Sequence, residues 1–175
     1  NDSVVQKPMA HGIILSKDRP AQAHLCLESI LKNSNGLFDT LSVLYTYSDD
    51  MNKSGYDELA KAFPEVSFVD QIDYYQDIQD LVNIDYYLTS FFTDDDIMYD
   101  RLPRLRNYIL AMFEDYEDIL ACLSLRLGMN TVIQDPYIQS ITTPPSSGFH
   151  QKENYTVFWR WQDCPPYMNF GYPMS

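Results

Sequence analysis

Between residues 11 and 93 of this 175-residue chain, short apolar runs alternate with segments of helical period, and few folds accept that alternation. HGIILS (11–16) is a continuous apolar run ending in polar residues, as a strand buried in a parallel sheet would be. After Pro20, AQAHLCLESILKN places Ala23, Cys26, Leu27, Ile30 and Leu31 on one helical face, and Asn35-Gly36 closes it. LSVLYTY (41–47) reads as a second strand. SGYDELAKAF (54–63) reads as a second helix, with Ser54 as its cap and Pro64 as its stop. EVSFVD (65–70), YQDIQDLVNI (75–84) and YYLTSFFT (86–93) follow as strand, short helix and strand. Four strands separated by three helices predict a doubly wound α/β fold around a mostly parallel sheet.

The fourth strand runs straight into three carboxylates, FFTDDDIMYD (91–100). Unit charges roughly 5–6 Å apart repel by about 3 kcal/mol at an effective dielectric of ~20, so folding alone gives no reason to gather Asp94, Asp95 and Asp96. Doubly wound sheets bind ligands outside the carboxyl ends of their strands. The triplet is therefore expected at a ligand edge, where a cation can cancel the repulsion. The plainer alternative is an exposed turn or a helix N-terminus, where the helix dipole favours carboxylates.

Charge and cysteine usage narrow the partners. A net charge of −13 argues against unspecific nucleic-acid or anionic-membrane binding. An anionic ligand must be met by local cations or by a metal. Cys26, Cys122 and Cys164 are odd in number and lack CxxC spacing, which suits reduced thiols in a cytoplasmic protein. No apolar run approaches the ~20 residues that span a bilayer, and NDSVVQKPMAHG has no signal-peptide core.

Motifs narrow the chemistry further. The first strand is followed by SKDRP, with neither GxGxxG nor GxxxxGK[ST], so dinucleotide and P-loop readings lose their support. The acidic triplet lacks the glycine and the twelfth-position glutamate of an EF-hand. His11, His24 and His150 have no zinc-ligand spacing. What remains is a D-x-D at a strand end, a hard-oxygen pair suited to Mg²⁺ or Mn²⁺ completed by phosphates and water.

Past Asp100 the pattern loosens. LPRLRNYILAMFEDY (102–116) is expected to be helical, with Leu105, Ile109, Met112 and Phe113 on one side. ILACLSLRLG (119–128) suits helix or strand by period, with a strand from Ile119 favoured; a turn at Gly128-Met129-Asn130, a loop over 135–150 and a strand over 155–161 are expected. No internal repeat or linker separates a second domain.

The ordered set ILSKDRP, LSVLYTYS, GYDEL, FFTDDDI, SLRLG, FWRWQD and FGYPMS resembles the GT-A-fold glycosyltransferases that use nucleotide-diphosphate sugars, in particular bacterial and viral members similar to family 2. The resemblance implies a single GT-A-like domain over 1–175, with 1–100 as the nucleotide-binding half and 101–175 as the acceptor side. It implies a metal-dependent hexosyltransferase-like enzyme, with Mn²⁺ or Mg²⁺ as cofactor. The donor would be a nucleotide-diphosphate sugar, a UDP-sugar favoured, and the acceptor a carbohydrate or other hydroxyl. Asp96 would bind the cation, Asp94 would hold it through water or contact the ribose, and Asp95 would support them. Ser16, Lys17, Asp18 and Arg19 would line the nucleotide site, with Lys17 or Arg19 offsetting phosphate charge. Trp159, Arg160 and Trp161 would face the acceptor, and Asp163 is the best available catalytic base.

The chain departs from that pattern after its second strand. The ending YTYSDD leaves open whether Asp49 or Asp50 reads the base, and the acidic pair that supplies the base in many inverting members is not evident. Chains of the resembling group continue beyond the GYP turn, so an incomplete catalyst is expected, one that binds metal and nucleotide but transfers sugar poorly. The rival readings are a nucleotidyltransferase, disfavoured by the missing Gly- and Lys-rich loop, and a non-catalytic domain that binds sugar nucleotides or a partner. Residue by residue, Lys17 and Arg19 can be solvated charges, the WRW tryptophans can pack on a sheet, and EDYED (114–118) can be a solvated helix end.

Overall fold

The computed structural model describes residues 10–82, 86–102, 106–115, 133–134, 141–142, 150–151 and 157–158. Within the first compact unit, which reaches to Leu123, the alternation becomes β1 (Ala10–Lys17), α1 (Pro20–Asn33), β2 (Thr40–Thr46), α2 (Asp50–Ala62), β3 (Ser67–Asp70), α3 (Tyr74–Val82), β4 (Leu88–Thr93) and α4 (Arg106–Asp115). The four strands form one parallel sheet in the order β3-β2-β1-β4. The chain steps outward from β1 to β3, then crosses back to lay β4 on the other side of β1. The direction of winding thus reverses between β1 and β4.

Strand alternation explains why both faces are covered. Ile14 shares a core with Ala23, Cys26, Leu27 and Ile30 of α1 and with Tyr56 and Leu59 of α2. Ile13 points the other way and joins Leu44 and Leu81, with Leu15, Ile78 and Phe91 against them. A strand buried on both faces cannot alternate polar with apolar residues, which is why β1 reads as an unbroken run. Pro20, at the first helical position of α1, lacks the N–H that no helical carbonyl would have met there. Asn35 and Gly36, at φ 54° and 75°, end α1 in the left-handed region.

Beyond β4 the chain turns and runs back along α1. Met98 N–H donates to Ser29 Oγ at 3.0 Å, and Asn33 Nδ2 donates to the Met98 carbonyl. Farther along, Leu102 N–H donates to the Asn33 carbonyl at 2.9 Å and Asn35 Nδ2 to the Leu102 carbonyl at 3.1 Å. Arg106 then pairs with Asp39 at 2.7 Å, and α4 buries Ile109, Leu110, Met112 and Phe113.

The second compact unit spans Ser124–Pro173. It contains two antiparallel pairs, β5 (Ile133–Gln134) with β6 (Ile141–Thr142) and β7 (His150–Gln151) with β8 (Val157–Phe158).

Three local expectations are corrected. The second helix begins at Asp50, not Ser54, because the Asp49 carboxylate accepts from the Asn52 N–H and serves as the cap. Leu31 is 41% exposed, off the buried stripe of α1. The expected loop over 135–150 contains β6 and the first residue of β7. Leu105, the strand from Ile119, the turn at 128–130, Cys122 and Cys164 lie outside the described residues. No described helix is long and apolar enough to cross a membrane.

Candidate functional site

The winding reverses between β1 and β4, and the carboxyl ends of strands flanking such a reversal are where doubly wound sheets receive ligands. β1 delivers Ser16, Lys17, Asp18 and Arg19 to this edge, and β4 delivers Asp94, Asp95 and Asp96. Parallel pairing sets Leu15 beside Thr93, and Asp94 N–H extends the ladder to the Leu15 carbonyl at 3.1 Å. Residues 78 apart in sequence meet there.

Asp94 is the most buried of the three carboxylates, at 5% exposure. Its Oδ2 accepts from Ser16 Oγ at 2.9 Å, and its Oδ1 lies 3.5 Å from Arg19 Nη1. That ion pair is long and its arginine is 54% exposed, so it contributes little by itself. Asp96 is half-buried and turned back on the strand end, its Oδ2 accepting from Thr93 N–H at 2.8 Å, with Thr93 Oγ1 at 3.1 Å. Thr93 Oγ1 also lies 2.6 Å from Asp95 Oδ1. One hydroxyl carries one proton, so it can serve only one of these carboxylates at a time.

Beneath the triplet, Cys26 is buried with its thiol 3.5 Å from the Thr93 carbonyl. Burial first, and then the charges of Asp96, Asp94 and Asp95, push that thiol up to about 12. It is thereby held in its protonated form. The three carboxylates are hard oxygen donors. Among the described residues, no three or more His, Cys, Asp or Glu side chains gather into a metal cage. A cation here would need phosphate and water to complete its shell, which is the manner of Mg²⁺ and Mn²⁺.

The other expected residues fall into place differently. Asp18 bends away from the triplet, accepting from Ser48 N–H and, at 2.8 Å, from Ser48 Oγ. Those two bonds hold its carboxyl below the usual range, with burial opposing and Lys17 adding a little. It joins the loop after β1 to the loop after β2. Lys17 is exposed at the strand end. Asp49, a candidate for base recognition, is occupied in capping α2. Trp159, Arg160, Trp161 and Asp163 lie outside the described residues.

Sequence reasoning did not single out Tyr56. It is fully buried in α2, stacked on Tyr45 at 4.4 Å, and its hydroxyl lies 2.6 Å from Ser16 Oγ and 3.1 Å from the Arg19 nitrogen. The one available signal was a phenol on the apolar face of a helix, since a buried tyrosine needs a partner for its hydroxyl.

No protein-family model matches the chain. It is similar to a protein from Dictyostelium discoideum named bifunctional glycosyltransferase pgtA, with 26% identity over 178 residues. The match covers 93% of this chain and 22% of that protein, so the chain spans about a fifth of the relative's length.

Proposed function

We propose that this chain is a metal-dependent glycosyltransferase of GT-A-like fold, moving a sugar from a nucleotide-diphosphate donor, a UDP-sugar favoured, to an acceptor hydroxyl. The observation that carries the reading is the acidic triplet at the β1–β4 reversal, with Asp94 bonded to Ser16 and paired with Arg19. The likeness to a glycosyltransferase over most of the chain supports it.

Asp96 would hold the Mn²⁺ or Mg²⁺ ion. Asp94, already engaged with Ser16 and Arg19, would reach it through water or meet the ribose, and Asp95 would support both. When bound, the cation stabilises charge on the leaving diphosphate. Arg19 would turn its exposed guanidinium to the phosphates, with Lys17 beside it. Trp159, Arg160 and Trp161 would align the acceptor, and Asp163 would take its proton.

A thermal-shift series with UDP and GDP, each with and without Mn²⁺, tests the reading in the parent and in Asp96→Asn. Stabilisation by a nucleotide that requires the metal and is mostly lost in Asp96→Asn is expected, with the apo variant folding as well as the parent because a repulsion is relieved. Indifference of the parent to every nucleotide would leave the non-catalytic alternative.

A further inference from the structure

Four groups, from β1 and the loop after it, from α2 and from the turn after β4, close a ring of hydrogen bonds at the carboxyl edge of the sheet. The Arg19 N–H can only donate, and the ionised Asp94 carboxylate can only accept. The two hydroxyls between them must therefore point the same way: Arg19 N–H to Tyr56 Oη at 3.1 Å, Tyr56 O–H to Ser16 Oγ at 2.6 Å, Ser16 O–H to Asp94 Oδ2 at 2.9 Å. The Arg19 guanidinium, 3.5 Å from Asp94 Oδ1, completes the ring. Reversing either hydroxyl would break it at one end.

We infer that Tyr56 is a positioning residue, whose hydroxyl fixes the backbone at Arg19 and, through Ser16, sets the orientation of Asp94 for the ligand. The inference rests on the donor-binding reading of this edge and deepens it. Tyr56 has no exposed surface, so it acts through Ser16 and Arg19 rather than by touching the ligand. Burial raises its phenol above the ordinary range, against the partial pull of Ser16 and Arg19, and Asp94 and Asp18 raise it further. The hydroxyl therefore keeps its proton and its role as donor to Ser16 throughout the neutral range. The ring itself packs on Tyr45, which separates what the hydroxyl does from what the aromatic body does.

Tyr56→Phe removes the hydroxyl and keeps the stacked ring. The experiment titrates UDP with Mn²⁺ into the parent, Tyr56→Phe, Ser16→Ala and the double variant, and follows amide exchange and the Asp94 carboxyl carbon by NMR. Tyr56→Phe is expected to weaken nucleotide binding by about tenfold, roughly the effect of one lost hydrogen bond. It should also speed exchange at the Arg19 amide while the Ile13 and Ile14 amides keep their protection. Ser16→Ala should weaken binding comparably, and the double variant no more than the worse single one, because both cut the same relay. Unchanged affinity in Tyr56→Phe, or losses that simply add, would overturn the inference. If the parent binds neither UDP nor GDP with metal, the donor reading fails separately. The Asp94 carboxyl signal then decides: displaced by Tyr56→Phe, the positioning role stands, and undisplaced, it falls.

Discussion

Asp18 sits at φ 56°, a left-handed conformation in which a side chain is strained and which aspartate tolerates better than most residues. Its bonds to Ser48 hold it there. Removing the carboxylate as Asp18→Ala loses those bonds and keeps the strain, whereas Asp18→Gly loses the bonds and relieves it. The alanine variant should have the lower urea midpoint of the two, and the reverse order would mean the loop is not strained. Arg19, half-exposed and only loosely paired, is available to an anion. Arg19→Ala is expected to weaken UDP binding by roughly 1–3 kcal/mol, the range for charged hydrogen bonds, and titration calorimetry reads it directly. An unchanged affinity would make Arg19 a surface charge. At this scale the triplet was visible in the sequence because like charges beside an apolar run demand a reason. Tyr56 was not, because a tyrosine at a buried helical position looks the same whether its hydroxyl is idle or linked to a carboxylate.

Helix α2 shows what controls an element's position. Its start is set by the Asp49 cap, so Asp49→Ala should cost roughly 0.5–2 kcal/mol while Ser54→Ala stays within about 0.5 kcal/mol. Chemical denaturation of the two variants distinguishes them. One turn later, Gly55 faces Pro20: a Cβ there would lie 2.6 Å from Pro20 Cγ and 2.9 Å from its Cβ. Exchanging glycine for alanine inside a helix ordinarily stabilises it by about 1 kcal/mol. Here the rigid proline ring cannot yield, so Gly55→Ala is expected to destabilise and to displace the start of α1, where Arg19 sits. A stabilised Gly55→Ala protein would refute that close approach. The alternation of periods placed strands and helices well because burial on both sheet faces leaves that imprint. It missed the true start of α2 because DMNKSG (50–55) is mostly polar and ends in glycine, and Met51, its single apolar residue, is 79% exposed, so no apolar stripe marks the first turn.

For the whole molecule, a contribution to the acid response is expected from the end of the sheet opposite the triplet. His11 is fully buried in β1, its Nε2 2.8 Å from Ser42 Oγ and its ring 4.5 Å from that of Tyr86. Its Nδ1 makes no well-formed hydrogen bond. Burial holds the imidazole below its ordinary 6.5, and the nearby Leu81 backbone offsets this only in part. The unfolded chain then binds the proton more readily, so stability falls as pH drops below about 6.5 and stops falling from this cause once the folded imidazole is charged. His11→Gln, which keeps a partner for Ser42 and cannot titrate, should flatten the loss of urea midpoint between pH 7.5 and 5.5. An equally steep loss would assign the acid response elsewhere.

The crossing of β4 to the far side of β1 also has a consequence in time. β1 and β2 meet across a separation such as the 29 residues between Ala10 and Asp39, whereas Ser16 and Asp94 are 78 apart. Closing the longer loop costs about 0.9 kcal/mol more in chain entropy, so the last strand tends to dock onto a sheet that already exists. Val43→Ala in β2 should then mainly slow refolding, and Leu88→Ala in β4 should mainly hasten unfolding, a contrast that stopped-flow chevrons resolve. A nascent chain emerging as far as β3 would carry most of the buried apolar residues among those described and none of the acidic triplet, so the acidic edge would be the last part of the sheet to be assembled and the first to be lost.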